Sequence, residues 1–171
     1  NWDIGNIGAE PQRAEHIDFT AAYAEIEATY LVRADAGLRS IEEVDQPGRT
    51  IVAPARAAYG LWLERNIERA ELLLLDDMGA AYQTWVDRGI DALAGLRPGL
   101  LADRDRTPGS VLLDGRFATV QQAMGTPKER DPAGFAYLEH FVEAAKSTGL
   151  VAELIDRHGV TGRLAVAPPA A

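Results

Sequence analysis

From Gln46 onward the chain sets short aliphatic runs against stretches of helical spacing, and three such rounds follow one another. The runs cover residues 50–53, 72–75 and 90–94, and they show little internal alternation. A strand buried on both faces reads this way, so the pattern predicts parallel strands linked by β-α-β crossovers. Between the second and third runs, Met78, Ala81, Tyr82, Trp85 and Val86 form one apolar stripe. That spacing predicts a helix, with Asp76 and Asp77 placed to cap its start and Gly89 to stop it. The block Glu64, Arg65, Glu68 and Arg69 has helical spacing and alternating sign, and reads as a solvated face.

Upstream, residues 25–33 alternate, with Ile26, Ala28, Tyr30 and Val32 on one side, which predicts a long strand. Ser40 and Glu43 have the capping-box separation and predict one short helical turn before Pro47. Toward the other end, Asp131-Pro132 is a cap and first-turn pair. Phe135, Leu138, Val142 and Ala145 then make a stripe that ends at Gly149, and a second helix is expected over 150–157. Residues 165–171, small and carrying two prolines, are expected to be loose.

Composition narrows the classes. The chain has 171 residues, 47% of them hydrophobic and 25% charged, which is ordinary for one globular domain or two small lobes. With 17 basic and 26 acidic side chains the net charge is −9, and no basic stripe offsets it, so nucleic acid is not an expected partner. No aliphatic run approaches the roughly 20 residues of a spanning helix. Cysteine is absent, which removes thiol nucleophiles, thiolate metal sites and disulfides. Residues 1–5 hold no basic, apolar or cleavage-site pattern of a signal peptide, and read instead as strand from mid-domain.

Reaction chemistry leaves little trace. His16, His140 and His158 are far apart and none has a second histidine four residues away, so no metal site is expected. Ser40, Ser110 and Ser147 lack the nucleophile-elbow pattern, and Gly5-Asn6-Ile7-Gly8 is too short for a dinucleotide fingerprint. Asp76-Asp77 and Asp103 with Asp105 sit where helix caps and solvated charge explain them. No catalytic residue and no cofactor is expected, and binding outranks catalysis.

One resemblance spans nearly the whole chain. Asp3-Ile4-Gly5-Asn6-Ile7-Gly8-Ala9-Glu10-Pro11-Gln12-Arg13, then Asp18-Phe19-Thr20-Ala21-Ala22-Tyr23, resembles the strand, turn and D-F-S-x-P-Y box of the solute-binding proteins of polar amino acid ABC transporters. Residues 40–51 look like that family's short helix, turn and strand, and Gly89-Ile90-Asp91-Ala92 like its G-x-x-D-A strand. The resemblance implies an α/β, type 2 periplasmic-binding fold: two lobes joined by two crossing strands that close on a solute. The crossings are expected near 28–32 and 119–124. Residues 31–120 would form the second lobe, and 1–30 with 121–171 a first lobe lacking its N-terminal portion, whose exposed apolar faces would favour self-association.

The same resemblance implies that Arg13 meets a ligand carboxylate, a role suited to the guanidinium fork. Asn6 and Gly8 fall where the family's strand end lends polar partners. Two departures bear on the solute. The family's Gly-Thr-Thr loop is replaced by Arg56-Ala57-Ala58, with Tyr59 next, and the acid that meets a ligand ammonium after the Asp91-Ala92 strand is replaced by Gly95-Leu96-Arg97-Pro98. A buried ammonium without a carboxylate partner costs several kcal/mol. The expected ligand is therefore a small anionic solute held by Arg13, Arg56 and Arg97, with Tyr59 and Leu96 against its apolar part.

The function implied is an extracytoplasmic, periplasmic protein of an ABC importer that hands its solute to a permease and breaks no bond. Two other readings share the fold. A cyclohexadienyl dehydratase would need a cleft acid, for which Glu10 is the motif-linked carboxylate, and a ligand-sensing module would need an output partner.

Overall fold

The computed structural model describes residues 2–170. In chain order it contains β1 (Gly5–Gly8), a 3-10 turn (Arg13–Glu15), β2 (Ile17–Arg33), a second 3-10 turn (Ile41–Glu43), β3 (Thr50–Pro54), α1 (Ala58–Asn66) and β4 (Glu71–Leu75). Then follow α2 (Met78–Arg88), β5 (Ala92–Leu96), α3 (Arg97–Arg106), β6 (Ser110–Leu112), β7 (Ala118–Pro127), α4 (Pro132–Ser147), α5 (Leu150–Arg157) and β8 (Ala165–Val166). The chain divides into two compact units, one built from the residues up to Ile26 and from Val120 onward, the other from Glu27–Thr119. Of the strand expected from Asn1 onward, Asn1 lies outside the described residues, and pairing begins only at Gly5.

The Glu27–Thr119 unit is an α/β layer. β3 lies between β4 and β5 and runs parallel to both, with Ile51 opposite Leu72 on one side and Ala92 on the other. The far half of β2 closes the sheet antiparallel to β5, with Ala28 opposite Leu96 and Val32 opposite Ala92. β6 adds to the same stretch of β2. Residues 28–32 are buried throughout rather than on one alternating face, because this central strand is covered on both sides.

Leu31, Val52, Ala81, Trp85, Leu93 and Leu100 form the core of this unit, none more than trivially exposed. Each fully buried large side chain contributes about 1.5–3 kcal/mol relative to exposure. The α2 stripe drives this packing. Asp77 caps the helix by accepting from the Ala80 amide at 2.8 Å, and Gly89 ends it at φ +62°, as the sequence pattern predicts.

Other expectations shift. The third run forms strand over Ala92–Leu96, two residues later than its hydrophobicity suggests, because Asp91 is held back by its bonds to Arg49 and the Thr50 amide. The charged block is exposed at all four positions, as expected, but not on one helix: α1 stops at Asn66, leaving Glu68 and Arg69 in the loop that Asp45 gathers through backbone amides. The turn after Ser40 is present, yet Ser40 makes no side-chain bond to a backbone amide there. Glu43 instead accepts from the Arg39 amide.

In the other unit, β7 is flanked by β1 and β2. β1 is antiparallel to β7, Gly5 opposite Gly125 and Gly8 opposite Gln122. α4 opens on Asp131, which accepts from the Ala133 amide, and Gly149 at φ +82° separates it from α5. Ala171 lies outside the described residues; the described part of the tail is not loose. β8 pairs with Ala24 and Glu25 of β2, and Ala167 is buried with its amide donating to the Tyr23 carbonyl.

Candidate functional site

Three parallel strands in one unit send their carboxyl ends the same way, and in open α/β sheets that edge is where ligands bind. Here it carries the loop 55–57 after β3, Asp76-Asp77 after β4, and Leu96 at the end of β5 with Arg97 next. α2 is closed at this edge by Asp77. α1 and α3 are not: Ala57 and Leu96 stand at their N-cap positions with extended backbone and no side-chain cap. Uncapped helix starts present amide N–H groups and the positive end of the helix dipole, which favours an anion.

α1 can start this close to β3 because residue 60 is glycine. A Cβ there would fall 2.1 Å from the Pro54 carbonyl oxygen. The sequence therefore sets the helix start hard against the strand end. Arg56, in the intervening loop, is exposed, and Ala57 partly so.

Arg97 is the first residue of α3, and Pro98 behind it fixes the first turn. The sequence sets Gly95-Leu96-Arg97-Pro98 where the family has an acid after the strand, and its pattern predicts no helix there. Proline and glycine look like breakers, but at a first turn they are compatible with a helix start. The Arg97 guanidinium is engaged. Its Nε donates to Glu27 Oε2 at 2.7 Å and its Nη2 to the Gly115 carbonyl at 2.5 Å. Arg116 Nη1 donates to the other Glu27 oxygen at 2.8 Å. The Arg116 hydrogen bond, with that of Arg97, holds the Glu27 carboxyl below its usual range against the opposing effect of burial. Glu27 carries no motif, and only its strand register opposite β5 brings it here; sequence reasoning missed it.

Tyr59 does not present an open aromatic wall. It is 6% exposed, and its hydroxyl donates to Met78 Sδ at 3.4 Å. Burial pushes its phenol well above the ordinary value, with the Asp103 charge adding to the shift. Leu96 is half-buried at the strand end.

Within the other unit, Gly8 ends β1 and is buried, Asn6 is exposed, and Arg13 opens the 3-10 turn. Arg13 Nη1 donates to the Gly8 carbonyl at 2.8 Å, so these two motif positions are brought together. The same unit has an apolar groove of about 500 Å³, lined by Tyr23, Met124, Phe141, Leu154, Ile155 and Leu164 among others. Asn6 lies on it; none of the arginines does. Among the described residues no three His, Asp or Glu side chains cluster in a way that could hold a metal.

No protein-family model and no curated protein matches the chain. Solved structures do. A binding component of an ABC transporter from Wolinella succinogenes DSM 1740, complexed with lysine, superposes with a TM-score of 0.74 at 22% identity, over 91% of this chain and 69% of that one. The chain has the periplasmic-binding-protein fold. A histidine kinase sensor domain with similarity to periplasmic binding proteins gives a TM-score of 0.73 at 18% identity, over 91% and 68% of the two chains. The ancestral amino acid-binding protein AncCDT-1, a precursor of cyclohexadienyl dehydratase, gives 0.71 at 19%, again over 91% and 68%. At such identity the likeness carries the fold, and one fold hosts many ligands.

Proposed function

We propose that this chain acts as an extracytoplasmic solute-binding protein of an ABC importer, capturing a small anionic organic solute and presenting it to a permease. The observation that carries the reading is the carboxyl edge of the parallel strands. It joins two uncapped helix starts to Arg56 and Arg97, while Leu96 offers no acid for a ligand amine. Ala57 supplies backbone at the start of α1; within the other unit, Arg13 with Gly8 and Asn6 is the carboxylate-binding candidate that the resemblance implies. Tyr59 and Leu96 shape the edge from behind rather than as an exposed wall.

The lysine-bound structure argues for a cationic solute in that protein. Lysine also carries a carboxylate, which arginines and helix amides would recognise equally. The charge of the remaining part of the solute is what the present chain alters. Calorimetric titration with L-lysine, L-cysteine, L-glutamate and succinate separates the cases. Tight binding of lysine, unaffected by Arg56→Ala, rules out the anionic reading.

Two other readings rest on specific likenesses. The sensor-domain neighbour supports a ligand-sensing role, for which a signalling partner would have to respond to the bound form. The dehydratase precursor supports an enzyme, and prephenate turnover that disappears in Glu10→Gln would establish it. Self-association through the apolar groove belongs to the same proposal, because Phe141, Leu150 and Leu154 are each more than a third exposed. Sedimentation velocity of the parent chain and Leu154→Asp tests it: a concentration-dependent dimer should revert to monomer.

A further inference from the structure

Glu27, Arg97 and Arg116 form a three-charge corner beside the end of β5. Its geometry follows from the antiparallel register of β2 on β5, which sets Ala28 opposite Leu96 and brings the Glu27 side chain to the first residue of α3. Each carboxylate oxygen takes a different guanidinium. The Gly115 carbonyl fixes Arg97 from a third direction. The corner is open to solvent on one side: the Arg97, Glu27 and Arg116 side chains are 19%, 39% and 56% exposed. Two cations and one anion leave a single positive charge, at the edge of the sheet where the open start of α3 also favours an anion.

From this we infer that Glu27 is a specificity-determining residue. It holds Arg97 and Arg116 in place, and its own charge offsets one of their two, so that the corner prefers a carboxylate over the isosteric amide less strongly than the two guanidinium groups alone would. Arg97 is thereby a positioned group rather than a mobile surface cation. The inference rests on the solute-binding reading above and deepens it.

The test uses two isosteric pairs, succinate with succinamate and L-glutamate with L-glutamine, titrated calorimetrically at low salt into the full chain. Replacing Glu27 by glutamine raises the local charge by one at nearly constant shape. The dianion-to-amide affinity ratio should rise about tenfold in Glu27→Gln for the pair whose variable group sits at the corner. Arg116→Gln should move the ratio the other way, and Glu27→Asp should keep the parent ratio. A purely structural Glu27 would weaken all four ligands together and leave the ratio unchanged. Circular-dichroism melting of each variant separates that outcome from misfolding. A ratio unchanged within twofold in both Glu27→Gln and Arg116→Gln, with binding retained, overturns the inference alone. A parent chain that binds none of the four solutes overturns the solute-binding reading, and the inference falls with it.

Discussion

Arg13 donates from Nη1 to the carbonyl oxygen of Gly8 at 2.8 Å, tying the first residue of a 3-10 turn to the last residue of β1. The residue is half-buried there, with one guanidinium nitrogen held on the strand end. A lysine would keep the charge and lose the fork. Arg13→Lys is expected to weaken binding of a carboxylate solute by about tenfold, or about 1.4 kcal/mol, and Arg13→Ala by more. Isothermal titration with the best of the tested solutes measures this. An unchanged Kd in Arg13→Ala would remove this arginine from the site.

Acid should destabilise the Glu27–Thr119 unit through two carboxylates. The Arg116 and Arg97 hydrogen bonds lower the Glu27 value from an ordinary 4.5 despite some desolvation. For Asp45, burial acts to raise the value, but the Ala70, Arg69 and Glu68 amides outweigh it, and the net shift is down from 3.8. A folded value below the unfolded one means stability that is complete above the unfolded value and lost as pH falls through the folded one. Melting temperature should therefore be flat from neutral pH to about pH 5 and fall below about pH 4. Asp45→Ala, which frees three backbone amides, should cost about 1–3 kcal/mol at neutral pH and flatten the acid limb. A variant whose melting curve tracks the parent at every pH would show that the loop does not need Asp45.

Gly60 sets the distance between β3 and α1. Its Cβ would sit 2.1 Å from the Pro54 oxygen, a backbone atom that no rotamer change can move aside. Gly60→Ala is expected to lower stability by about 1–3 kcal/mol through overpacking, despite the better helix propensity of alanine. Gly95 is the comparison: a Cβ there meets the Leu100 side chain at 2.8 Å, a milder approach and to a side chain rather than to backbone. Denaturant melts of both variants should rank Gly60→Ala as the more damaging. The reverse order would mean that α1 is free to slide along the strand end.

How far the chain disclosed this arrangement depends on the range of the signal. Local periodicity was sufficient for β3, β4, α2, α4 and α5, because Trp85 or Val142 recurs with neighbours at one helical face and Gly89 and Gly149 end the helices chemically. α3 escaped notice because Pro98 and Gly99 resemble a break, and because its first residues complete a turn rather than a stripe. The Glu27 corner was invisible for a different reason. Residues 27, 97 and 116 meet only through strand register, and no spacing in the chain encodes a contact over 70 or 89 positions. Tyr59 is a third case: the resemblance sets it against the apolar part of a solute, and only its place on α1 shows it 6% exposed with its hydroxyl on Met78.

The tail makes the last case, because composition and packing disagree there. Two prolines and a run of alanines suggest a frayed end, yet Ala165 and Val166 extend the sheet on Glu25 and Ala24. Lys146 Nζ donates to the Pro168 carbonyl at 2.8 Å, and the Ala170 amide donates to Glu143. Small side chains are what let this segment lie flat, and Ala167 is 5% exposed. Ending the chain at Leu164 removes the β8 pairing and uncovers the β2 edge beside Tyr23. The expected cost is about 2–4 kcal/mol, a fall in Tm of roughly 5–10 °C. Hydrogen exchange localises the effect: the backbone amides of residues 23–25 should lose protection, while those of β3 and β5, in the other unit, should keep theirs. Equal protection of residues 23–25 in the shortened chain would show that the tail rests on the sheet without holding it.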